Sequence, residues 1–278
     1  MFMVTNKKRM EDGRLIRPLM AGKRFGRYKK EAEKALRKMD VREDQTLRQL
    51  IDAWTAFRLS NEEILVDGGI YVDDCWRVYE NACAELTKVS YSSADVTRFG
   101  LKLAEFEYGL DFHFLAGLFL TALANMRGER SFTIHTAHLG SPLHYLGMEN
   151  TRDLIVLGDV GYNAGNNMQD GSMLIEGNAL GSLGACMRQG TIHVTGDAGN
   201  DIGYGMTGGE IVVDGDVGFV RCIDGGRVTV RGHLGAILEG YEGPMLAGGE
   251  LRIEGTYDRL GEIEKGKVYL KGHLLADK

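Results

Sequence analysis

With 278 residues, 44% hydrophobic and 26% charged, the chain is long enough for one large domain or two modest ones with real cores. The net charge of −6 is unevenly spread: residues 1–40 hold 13 Lys/Arg against 5 Asp/Glu, a balance of +8 that leaves −14 on the remainder. Export through a leader is not expected, because Lys7-Lys8-Arg9 follows Met1 to Val4 at once. A membrane span is not expected either, because the most apolar segment, Leu110 to Met126, carries Asp111, His113 and Asn125 and falls short of the roughly 20 residues a bilayer needs. A cytoplasmic protein is expected. Its four cysteines, Cys75, Cys83, Cys186 and Cys222, form no CxxC pair and read as reduced thiols.

In chain order, residues 1–40 form a basic arm with Phe25 and Tyr28 among the lysines and arginines and a helical stretch over Lys29 to Met39. Such an arm can hold phosphate backbones, which makes nucleic acid a possible partner. It can equally dock on the acidic remainder of the chain or of a neighbouring copy, and the charge split favours docking. Residues 41–130 read as a helical domain. Leu47, Leu50, Ile51 and Trp54 share helical spacing in a segment from Asp44 to Leu59, a second runs from Asp74 to Val89, and Gly68-Gly69 marks a turn between them. A third starts at Ser92 or Ser93, either of which can cap it, and runs to about Met126 with an interruption at Gly109.

From residue 131 the grammar changes. Of 39 glycines, 28 lie at or beyond Gly158, and Gly158, Gly177, Gly196, Gly215, Gly232, Gly255 and Gly272 each close a short strand. Their first three spacings are all 19 residues, the mark of a repeat array. Four and two residues before each glycine the side chain is apolar, as with Ile192 and Val194 or Ile211 and Val213, while the residues between are mostly polar. A second apolar row runs Met168, Met187, Met206, Ile223, Leu246, Ile263, and a third Val160, Ala179, Ala198, Val217, Leu234. Three stacked rows imply a parallel β-helix with a period of about 19 residues over 131–278, its corner glycines taking backbone angles that a Cβ penalises. The array begins with Phe132 and Ile134, Thr136 taking the glycine corner, and the helices close this end. The methionine row is core packing rather than a soft-metal stripe, since Ile and Leu continue it.

Gly203-Tyr204-Gly205-Met206-Thr207-Gly208 matches the GxGxxG fingerprint of dinucleotide sites, yet a strand, Glu210 to Asp214, follows it where the phosphate-holding helix is required. It reads as one coil among several. The run NALGSLGACMRQGTIHVTGDAGNDIGYGMTGGEIVVDG resembles the GXGXG repeat domain known from the C-terminal region of the glutamate synthase large subunit and from formylmethanofuran dehydrogenase. The resemblance, over about residues 150–278, implies a right-handed β-helix that holds catalytic domains or subunits together, and it brings no catalytic residue with it.

The best metal-like constellation is His135, His138 and His144, but positions i and i+3 of a strand face opposite ways, and a capping or interface role is the favoured reading. On the repeat frame His138 falls on an inward row. Asp159, Asn163, Asn166, Asn167, Asp197, Asn200 and Asp201 read as corner residues whose side chains bond local backbone. No catalytic, cofactor or metal residue is assigned. The expectation is an α+β structural or assembly protein that scaffolds copies of itself or a partner complex. Its alternatives are a non-catalytic subunit of an oxidoreductase complex and a nucleic-acid binder acting through the basic arm.

Overall fold

The computed structural model describes residues 44–61, 72–109, 111–237 and 242–278. The basic arm, with the helix expected at Lys29 to Met39, and the Gly68-Gly69 turn lie outside the described residues. The described chain is α+β, with helices N-terminal to a parallel β-helix.

Helix α1 spans Gln45–Ser60 and α2 spans Val72–Leu86. The Asp44 carboxylate caps α1 by accepting from the Leu47 N–H at 3.0 Å, so one of the orphan donors of the first turn is satisfied. Helix α3, Ser93–Lys102, starts on a capping box in which Ser92 and Asp95 bond each other's backbone N–H. It runs into a 3-10 turn over Leu103–Phe106, then breaks at Gly109, where φ is +86°. Helix α4, Phe112–Asn125, resumes after the break, and only His113 and Asn125 within it escape full burial. The break turns α4 back beneath α1, so that Trp54 packs against Phe57, Phe99, Phe112 and Phe119 with centroids 5.3–6.4 Å apart. Edge-on aromatic packing of this kind adds to the hydrophobic gain of burial.

The β-helix is built on a nine-stranded sheet whose order, β1-β2-β3-β5-β7-β8-β10-β12-β13, is that of the coils. Strands β1 (Ser131–His135), β2 (Asp153–Leu157), β3 (Ser172–Glu176), β5 (Thr191–Val194) and β7 (Glu210–Val213) pair in parallel, as do β8 (Arg227–Val230), β10 (Glu250–Ile253) and β12 (Lys267–Leu270). Register stacks like on like: Ile134, Val156, Ile175, Val194, Val213, Val230, Ile253 and Leu270 form one continuous row. Ile192, Val194, Ile211, Val213, Met168, Met187 and Met206 have no solvent exposure. The short strands β4 (Ala179–Gly181) and β6 (Ala198–Asn200) carry a second face, extended by bridges to Leu143, Val160, Val217 and β9 (His233–Leu234), which pairs with β11 (Thr256–Tyr257). The 23-residue spacing between Gly232 and Gly255 leaves the main register intact, with Arg227 opposite Glu250.

Three expectations need correction. Of the corner glycines, Gly158 has φ +129°, but Gly177, Gly196, Gly215 and Gly232 are not among the positive-φ residues. What excludes a Cβ there is proximity: it would run into the backbone carbonyl of the corner one coil earlier. The residues one beyond these glycines also bond farther than their own turn. Asp159 accepts from the Asn178 N–H (3.0 Å), Asn178 from Asp197 (2.6 Å), Asp197 from Asp216 (2.8 Å) and Asp216 from His233 (2.7 Å), a ladder of side chains clasping each coil to the next.

Thr136 does stand at the first corner, 4% exposed, but the inward position two residues on is filled by Leu143, which bridges Val160. The first coil carries five extra residues ahead of that row, and they lift His138 out of it.

The two ends are closed differently. Helix α3 packs on β1, the end strand, and Thr97 Oγ1 donates to the Thr133 carbonyl at 2.8 Å. Helix α4 lies across the first coil: Gly147 N–H donates to Thr121 Oγ1 (2.8 Å) and His144 N–H to the His113 carbonyl (3.1 Å). A Cβ on Gly117 would strike the His144 carbonyl, so glycine is what lets α4 approach this closely. One apolar cluster runs from Leu47 in α1 to Val268 in β12. At the far end β13, His273–Asp277, folds back antiparallel on β12 with a register shift at Val268/Tyr269, and Leu274 and Leu275 stay exposed.

Candidate functional site

The three candidate histidines separate into two places. His135 and His138 sit half-buried against α3, where His138 Nε2 donates to the Gly100 carbonyl at 3.1 Å and both Nδ1 atoms are buried without a hydrogen-bond partner. His144 lies on the other side, under α4, its ring parallel to that of Tyr162 (4° between planes, centroids 5.4 Å) and 4.5 Å from His113. Its Nδ1 accepts from the Tyr162 N–H at 2.9 Å, which places any proton on Nε2. Burial holds the His144 pKa down to about 4, with the neighbouring His113 a smaller contributor, and burial also lowers His113, His135 and His138. Neutral imidazoles in packing positions are the result. Among the described residues no group of three or more His, Cys, Asp or Glu side chains is placed to hold a metal ion, and no helix is long and apolar enough to cross a membrane.

A different site comes from the turn that joins the strands on the far side of each coil. Its backbone alternates into the left-handed region three times in five residues: Tyr145, Gly147, Glu149; Asn163, Gly165, Asn167; Ser182, Gly184, Cys186; and Asp201, Gly203, Gly205. The physical cause is hydrogen bonding along the stack. The N–H of Asn163 donates to the next coil at Gly181, that of Gly165 to the previous coil at Leu146, and that of Asn167 forward again to Ala185, at 2.7–3.0 Å. Ser182, Gly184 and Cys186 repeat the pattern with Asn200, Ala164 and Tyr204. Each turn is thus tied both upward and downward, and its backbone donors are spent within the stack.

Glycine suits every such position, as Gly203 (φ +70°) and Gly205 (φ +65°) show in the fourth turn. The neighbouring turns hold Tyr145, Glu149, Ser182 and Cys186 at equivalent places with φ between +51° and +56°. A left-handed residue with a side chain costs about 1–3 kcal/mol and is a pointer to function where it recurs at one place. Asn163, Asn167 and Asp201 bear that cost more easily, because their short polar side chains tolerate the conformation.

These side chains floor a groove of about 680 Å³ whose wall is α2, through Trp76. Trp76 and Tyr204 are 37% and 41% exposed, large aromatic side chains that meet solvent in part. Arg221 closes one end: it pairs with Asp201 at 2.6 Å, donates to the Glu242 carbonyl at 2.6 Å and lies over the Tyr204 ring, 4.7 Å from its centroid. Tyr145 is anchored from below by a hydrogen bond with Cys75, and burial raises its hydroxyl pKa well above the ordinary range. Burial likewise raises Glu149 beside the groove, where it accepts from Asn167 and, at 3.2 Å, from Gln169 Nε2. The side chains of Asn163, Asn166 and Ser182 line the groove without a hydrogen-bond partner among the described residues, and Arg188 lines it within electrostatic reach of Glu149.

Sequence patterning marks Asn163, Asn166, Asn167 and Asp201 as corner residues and offers no reason to single out Trp76, Ser182, Arg188 or Tyr204. The recurrence of non-glycine residues at the left-handed positions of the turn is a signal that could have found Ser182, but not the other three.

The fold defines the class, a helix-capped parallel β-helix of the α+β type. No protein-family model matches the chain, and no curated protein matches it.

Proposed function

We propose that the protein is a structural assembly component, a stiff β-helix that holds partner subunits or further copies of itself and performs no chemistry of its own. The observation that supports this reading is the single apolar cluster shared by helices and solenoid: the cap and the coils are one body, and coil-to-coil ladders resist slippage. Such a body suits a framework whose parts must keep fixed distances. The resemblance of residues 150–278 to the GXGXG repeat domain favours a second form of the same reading, in which the partner is the catalytic subunit of an oxidoreductase and this chain brings no cofactor.

Affinity capture of the tagged full chain from its source cells, followed by native mass spectrometry, tests both. A stoichiometric partner or a defined oligomer is the expected result, and a flavin- or iron–sulfur-bearing partner selects the second form. A monomer with no co-eluting protein overturns the proposal.

A further inference from the structure

We infer that the groove between α2 and the coil turns is a binding site for an acidic oligosaccharide. This role goes beyond assembly and does not depend on it.

Two part-exposed aromatic side chains, Trp76 and Tyr204, stand on the wall and floor of the groove, Arg221 covering one side of the Tyr204 ring, and aromatic rings give a flat, dry surface against which the C–H face of a sugar ring can pack. Between them the uncommitted polar groups are neutral: the amides of Asn163 and Asn166 and the hydroxyl of Ser182, each able both to donate and to accept. That pairing of aromatic faces with two-way polar groups matches a ligand that is itself apolar on its faces and hydroxylated at its edges. One cation, Arg188, is exposed and engaged in no ion pair, whereas Arg221 is neutralised by Asp201. Arg188, with Glu149 within electrostatic reach of it, is thus the group that a ligand carboxylate would meet.

The same geometry argues against other ligands. A phosphate is held best by converging backbone N–H groups, but the N–H groups of these turns already donate to the coils above and below. A peptide that binds by strand addition needs an unpaired backbone edge, and the turns present their backbone paired along the stack. Recognition must then run through side chains. The presence of Ser182 at a left-handed position, φ +51°, is further support, since glycine there would relieve the backbone.

The test uses the full chain with three probes in isothermal titration calorimetry: galacturonate hexamer, cellohexaose and AMP. Galacturonate hexamer is expected to bind, with cellohexaose about tenfold weaker. Trp76→Ala and Tyr204→Ala are each expected to weaken galacturonate binding about tenfold or more. Arg188→Gln is expected to abolish the preference for the acidic probe, bringing galacturonate affinity to that of cellohexaose, with a circular dichroism spectrum matching the unsubstituted protein to exclude a misfolded variant. Binding of neither saccharide at millimolar concentration overturns the inference, as does binding of AMP alone or saccharide binding that survives both aromatic substitutions.

Discussion

The two ends of the β-helix solve one problem with different materials. At the N-terminal end α3 and α4 bury the first coil under the helical part of the shared core, centred on Trp54, and the Gly117 backbone rests against the coil. At the C-terminal end one reversed strand, β13, covers β12 and leaves Leu274 and Leu275 53% and 45% exposed. Both devices stop the sheet from offering a regular parallel edge, the second through reversal and a register shift. Only the first adds a wall, and the groove exists because α2 stands beside the coil turns.

The sharpest way to break this comparison is at the helical contact. Gly117→Ala is expected to cost on the order of 3 kcal/mol or more in urea-induced unfolding, because neither backbone can yield. Gly128→Ala, where nothing lies within 4 Å of the added methyl, is the control expected to cost little. Equal effects of the two would mean that α4 does not press on the coil.

Next in size is Asp159, at the foot of the side-chain ladder. Burial raises its carboxyl to about 6, offset in part by the Asn178 N–H, so the fold prefers the protonated form. Its stabilising contribution is fully present below the unfolded value near 3.8 and is lost as pH rises through about 6. Asp159→Asn keeps the acceptor that Asn178 uses one coil on, and is expected to stabilise by about 1–3 kcal/mol at pH 8 and by almost nothing at pH 4. A gain equal at both pH values would contradict the shift.

Smaller again, Ser182→Gly is expected to raise stability by about 1 kcal/mol through relief of the left-handed backbone, although most glycine substitutions destabilise. Smallest of all, Leu274→Ser together with Leu275→Ser is expected to change stability by less than about 0.5 kcal/mol, since both side chains already meet solvent. A loss comparable to that of Gly117→Ala would place the two ends on an equal footing.

Much of the β-helix is legible from spacing alone. The rows through Met187, Ile192 and Val194 recur at 19 residues, and a buried stack demands like residues at like positions. Legibility ends where the period is silent. Five extra residues ahead of Leu143 carry no repeat signal, so the repeat frame puts His138 on a row that Leu143 fills. The corner glycines stand out, but sequence does not say whether a missing Cβ serves an unusual angle or a near neighbour, and for Gly196 the neighbour decides. The groove is hidden more deeply. Its polar floor repeats as turn chemistry does, and Trp76 comes from a helix more than a hundred residues away from Arg188.

The two-way bonding of the coil turns also has a mechanical side. Because Gly165 donates backward and Asn163 and Asn167 donate forward, a coil cannot leave the stack without breaking bonds to the coil beside it. Tension applied at the C-terminal strand would be borne by one coil at a time, each release freeing between 17 and 23 residues of chain, or about 60–80 Å of contour length. The protein would behave under load as a ratcheted tether, lengthening coil by coil until the helical end takes the strain.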